Sequence, residues 1–95
     1  MKLLGKQLLY DFAEKHADAR SQINSWWAEV EGAQWDSPND LKRRYPKASI
    51  LKEQQVVFDI CGNKYRLWTQ ISYKNKIVLI KKMGTHNEYE KWDLG

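Results

Sequence analysis

The chain has 95 residues, enough for one hydrophobic core and too few for a second, so residues 1–95 read as a single domain. Hydrophobic residues make up 42% and include five Trp and five Tyr, which argues against intrinsic disorder; no apolar run approaches the ~20 residues that cross a bilayer. The net charge of +4 is uneven, since residues 1–40 hold four Lys/Arg against seven Asp/Glu and residues 41–95 hold twelve against five. A basic half that also carries Trp68, Tyr73 and Tyr89 suits an anionic polymer, because cations meet phosphates and aromatic rings stack on bases. The first residues lack the apolar stretch of a signal peptide, and the lone Cys61 has no internal disulfide partner. Both point to the cytoplasm, with no membrane partner.

Residues 6–16 place Leu8, Leu9 and Phe12 at helical spacing, which predicts a first amphipathic helix. Asp18 is read as the N-cap of a second helix, in which Ile23, Trp26, Trp27 and Val30 fall at i, i+3, i+4 and i+7. A helical aromatic stripe is core more often than a base-stacking platform, so both indoles are assigned to packing. Ser37-Pro38-Asn39-Asp40 starts a short third helix through Leu41 to Arg44, and Pro46 stops it.

From Val56 the period changes to two. Val56, Phe58 and Ile60 alternate up to the turn signal Gly62-Asn63, and Tyr65, Leu67, Thr69, Ile71 and Tyr73 alternate after it. A turn at Lys74-Asn75 leads to Ile77-Val78-Leu79-Ile80, apolar on both faces and so expected to be covered on both. Thr85-His86-Asn87-Glu88 has the form of a capping box and predicts a last short helix through Trp92. The fold class is α+β, with N-terminal helices, a three-stranded antiparallel meander and a C-terminal helix.

If the odd positions of the second strand pack on the helices, Arg66, Trp68, Gln70 and Ser72 line the opposite face. Arg66 is there either to hold a phosphate through its planar fork or to pair with a cross-strand acid such as Asp59. Lys81-Lys82 and the helix start at His86 follow, with Tyr89 and Glu90 able to share a face with His86. His86 is a surface residue or an acid-base group; its convergence with Arg66, Tyr89 and the lysines favours the second. Metal-free RNA cleavage needs only a base, an acid and cations around the phosphate, which His, Tyr, Lys and Arg supply. His16, His86 and Cys61 lack ligand spacing, so no metal or other cofactor is expected, and no nucleotide-binding or acyl-transfer motif is present.

Val56-Val57-Phe58-Asp59-Ile60-Cys61-Gly62-Asn63-Lys64-Tyr65-Arg66-Leu67 and Gly84-Thr85-His86-Asn87-Glu88-Tyr89-Glu90-Lys91 resemble the HigB toxin family of the RelE-like superfamily. Leu9–His16, Asp40–Pro46 and Ser49–Lys52 resemble it too, in the same order and at similar spacing. The resemblance implies a compact RelE-like fold and a metal-independent endoribonuclease that cuts mRNA, commonly on the ribosome. It also implies a HigA-like antitoxin with a helix-turn-helix domain. Arg66, His86, Tyr89 and Lys81 would then be catalytic, and Lys52, Asn63, Lys64 and Lys91 would contact RNA. Lys81 stands where the family often carries arginine, a point charge in place of a fork. The alternative is a non-catalytic RNA-binding module on the same basic face.

Overall fold

The computed structural model describes residues 1–93; residues 94 and 95, the end of the span read as one domain, lie outside the described residues. The elements are β1 (Lys2–Leu4), α1 (Lys6–Lys15), α2 (Arg20–Glu31), α3 (Pro38–Arg44), β2 (Ser49–Ile50), β3 (Gln55–Ile60), β4 (Tyr65–Ser72), β5 (Ile77–Thr85) and α4 (His86–Glu90). The sheet has five strands in the order β1-β5-β4-β3-β2. The expected meander β3-β4-β5 forms its centre, and it is extended by two short edge strands, β1 parallel to β5 and β2 antiparallel to β3. The result is an α+β fold with helices against a mainly antiparallel sheet.

One face of the sheet carries the core. Leu9, Phe12 and Ala13 of α1 and Ile23, Trp26 and Val30 of α2 are buried with Val56, Phe58 and Ile60 of β3. Tyr65, Leu67 and Ile71 of β4 and Val78 and Ile80 of β5 complete the same cluster. The Phe58 ring meets Trp26 and Tyr45 edge-on at 5.2 Å, an arrangement that adds to plain area burial. Trp26 is buried as expected; Trp27 packs on the core only in part and lies under the Lys6 ammonium, 4.3 Å from its ring centre. Gly5 joins β1 to α1 with φ 91, and a Cβ there would stand 3.0 Å from the Ile80 carbonyl oxygen, so glycine is required.

Three expectations change. Asp18 does not cap α2, because its carboxylate accepts hydrogen bonds from Lys64 and from the Tyr65 hydroxyl (2.7 Å), and a 3₁₀ turn over Ala17–Ala19 precedes α2 instead. Leu79 is 42% exposed, so the 77–80 stretch of β5 is covered on one face only. α4 ends at Glu90 rather than running through Trp92. The turn around Gly62-Asn63 is present, closed by the Lys64 N–H on the Cys61 carbonyl at 3.2 Å. No helix among the described residues is long and apolar enough to cross a membrane.

Candidate functional site

The odd residues of β4 face the core, so Arg66, Trp68, Gln70 and Ser72 project from the other side of the sheet. β3 lies directly opposite, pairing Asp59 with Arg66 and Val57 with Trp68. On β5 the register breaks: Trp68 pairs with Lys82 but Thr69 with Ile80, which leaves Lys81 as the extra residue of a β-bulge. The core positions of β5 accordingly step from Ile80 to Met83, and the two consecutive lysines between them both turn toward the outer face. Lys81 Nζ then stands 4.4 Å from the Trp68 ring centre, and Lys82 Nζ 5.9 Å from that of Trp92.

α4 closes one end of this face. Thr85 and Glu88 form the expected capping box, with the Thr85 N–H donating to Glu88 Oε1 at 2.8 Å and the Glu88 N–H to Thr85 Oγ1 at 3.2 Å. The helix lays Tyr89 over Arg66, whose guanidinium carbon is 5.3 Å from the phenol ring centre. Trp92 stacks on Trp68 at 6.0 Å and meets Tyr89 edge-on at 5.7 Å. Arg66 is fixed from below by Asp59 (Nε to Oδ1, 3.3 Å) and by the Asn63 carbonyl, which accepts from Nη1 at 2.9 Å. The phosphate-binding and ion-pair readings of Arg66 are therefore compatible: the acid engages Nε, and the guanidinium lies beneath a phenol on the face that also carries Lys81 and Lys82. Such a face can hold a phosphate beside an aromatic shelf.

A family model described as the RelE-like toxic component of a toxin-antitoxin system matches residues 19–92. The chain belongs to the HigB toxin family. Arg66, Lys81, His86 and Tyr89 all lie within the matched span, as do Lys52, Asn63, Lys64 and Lys91. Over 92 residues it is 24% identical to the mRNA interferase toxin HigB of Escherichia coli (strain K12), covering 95% of this chain and 88% of that protein. The mRNA interferase HigB of Shigella flexneri gives the same figures. That of Escherichia coli O6:H1 (strain CFT073) is 23% identical over 93 residues, covering 96% of this chain and 90% of the relative.

The remaining candidates of this HigB family member fall on two flanks. Lys52 is exposed beside β3, and its carbonyl accepts from Gln55 Nε2 at 3.2 Å, next to Lys81. Asn63 is exposed at the turn under Arg66. His86 Nε2 lies 2.9 Å from Glu90 Oε1, and His86 lines a cleft of about 480 Å³ with His16, Lys64, Tyr65, Thr85 and Asn87, whose lining includes neither Arg66 nor Trp68. Lys64 gives its ammonium to Asp18; the hydrogen bond raises the lysine above its ordinary pKa and lowers the aspartate. Lys91 is exposed at the end of α4. No group of three or more His, Cys, Asp or Glu side chains among the described residues is placed to hold a metal ion.

Sequence reasoning placed Trp68 and the Lys81-Lys82 pair at this site but missed Trp92 and Gln55 as parts of it. How two consecutive lysines share one face follows from the Ile80-to-Met83 step, which becomes visible only once the core face of β5 is known.

The cap has a pH dependence. Bonds from the Thr85 N–H and hydroxyl hold the Glu88 carboxyl below its ordinary value of 4.5, with the charges of His16 and Lys91 adding to the effect. A depressed carboxylate contributes stability that is complete above its unfolded pKa and is lost as pH falls through its folded one. Thermal melting is therefore expected to drop below about pH 4.5, with Glu88→Gln removing part of that dependence. Thr85→Ala is expected to cost about 1 kcal/mol at neutral pH.

Proposed function

We propose that this chain is an endoribonuclease that cleaves mRNA during translation, without a metal, and is held in check by a HigA-like helix-turn-helix antitoxin in the cytoplasm. The observation that carries the reading is the apposition of Arg66 and Tyr89 on the outer face, with Lys81 and Lys82 turned onto the same face by the bulge. Family membership and the named activity of the relatives support it.

In the reaction, the RNA 2′-hydroxyl attacks the adjacent phosphorus as its proton passes to a base. The P–O5′ bond breaks as the P–O2′ bond forms, and an acid protonates the departing 5′-oxygen. The products are a 2′,3′-cyclic phosphate and a 5′-hydroxyl. Arg66 and Lys81 stabilise the charge that builds on the phosphate oxygens. Tyr89, in contact with Arg66, and His86, oriented by Glu90, serve the proton transfers. Lys52, Asn63, Lys64 and Lys91 contact the flanking RNA.

The test compares naked RNA with a translating extract. Cleaved ends bearing 2′,3′-cyclic phosphate, unaffected by chelators and abundant only in the extract, are the expected result. Salt-dependent RNA binding with no cleavage in either setting would instead identify a non-catalytic RNA-binding module.

A further inference from the structure

Gln55 and Thr69 are the two buried polar side chains among the described residues, and they are buried for different reasons. The Thr69 hydroxyl donates to the Val56 carbonyl within the ladder at 2.9 Å. Gln55, 8% exposed at the start of β3, spends its amide on the outer face. Its Oε1 accepts from Trp68 Nε1 at 2.8 Å and from Lys81 Nζ at 3.2 Å, and its Nε2 donates to the Lys52 carbonyl. The preceding loop is bent to allow this. Glu53 and Gln54 both adopt left-handed backbone, with φ 58 and 62, and the Glu53 carbonyl accepts from Gln70 Nε2 at 3.1 Å. Strain of this kind persists only where the surroundings fix it.

We infer that Gln55 is a positioning residue that holds the Lys81 ammonium over Trp68, an assignment that rests on the endoribonuclease reading. The bulge brings Lys81 to the outer face, but a four-carbon stem leaves its ammonium free to wander. The indole face and the amide oxygen remove that freedom from two directions. A neutral amide does so without cancelling the positive charge, as a carboxylate in the same place would.

The experiment measures single-turnover cleavage for wild type, Gln55→Met, Lys81→Ala and the double variant, with Gln55→Glu as a near-isosteric companion. Gln55→Met is expected to lower kcat about ten- to a hundredfold with KM little changed. In the Lys81→Ala background the same change is expected to cost less than about twofold, because the group it positions is gone. Gln55→Glu is expected to reduce the slope of log K for RNA against log salt by about 0.7, the loss of one phosphate contact. In parallel, acylation of Lys81 read by mass spectrometry is expected to rise in Gln55→Met, whether or not RNA is cut. An equal loss in both backgrounds, an unchanged salt slope or unchanged Lys81 reactivity would overturn the inference. A wild type that cuts no RNA while Lys81 reactivity still responds to Gln55 would overturn the endoribonuclease reading and leave the contact standing.

Discussion

Arg66→Ala is expected to lower cleavage by about 10²–10³-fold in a protein that still folds. The guanidinium is a fixed cation of the outer face, engaged by Asp59 through Nε and by the Asn63 carbonyl through Nη1, with Tyr89 above it. Because these contacts hold it before substrate arrives, little reorganisation is needed as charge builds on the phosphate, and that preorganisation is what alanine removes. Arg66→Lys is expected to recover little, since an ammonium cannot reach Asp59 and a phosphate through one plane. The two side chains are 11% and 21% exposed, between a surface pair and a buried one, so Arg66→Ala is also expected to cost about 1–3 kcal/mol by leaving Asp59 unpaired. Adding Asp59→Ala separates the two effects: thermal stability returns in part, and cleavage does not. Wild-type cleavage by folded Arg66→Ala would remove Arg66 from the chemistry.

Arg66 was legible because β4 is covered by helices on one face, so period two alone separates Leu67 and Ile71 from Arg66 and Trp68. The capping box was legible because both partners sit within one turn. What escaped the sequence depends on long-range partners. β1 buries only Leu3 of its three residues, too short a run to show a period, and its pairing with β5 spans the whole helical segment. Asp18 has the composition of a cap, but Lys64 and Tyr65 arrive from far along the chain and outbid the local backbone for its oxygens. Gln55 precedes the alternating run that starts at Val56, and its burial arises only when Trp68 and Lys81 fold onto it. The Leu79 pattern promised cover on both faces, yet α4 reaches the opposite end of β5 and leaves Leu79 open.

The position of α4 is itself set by one missing side chain, and Gly84→Ala is expected to show it. Gly84 lies opposite Arg66 in the ladder, where a Cβ would stand 2.8 Å from Trp92 Cζ2 and 3.2 Å from Cβ and Oε1 of Glu88. The carboxylate oxygen can swing aside, but the Glu88 Cβ is fixed by the capping box and the Trp92 ring by its stack on Trp68. The helix must therefore lift, and Tyr89 must lift with it from Arg66. Overpacking of this kind costs about 1–3 kcal/mol. A displacement near 1 Å of a group at the reacting centre costs on the order of 10²-fold in rate. Gly84→Ala is thus expected to lose cleavage far beyond its loss of stability, although it removes no charged or proton-carrying group. Gly32→Ala is the control: a Cβ there meets only ordinary contacts at 3.6 and 3.9 Å, at the end of α2, so stability should stay within about 0.5 kcal/mol and cleavage should be unchanged. Thermal melts and single-turnover cleavage on both variants decide the matter. Wild-type cleavage by Gly84→Ala would mean that the contact of Tyr89 with Arg66 is not needed for the reaction.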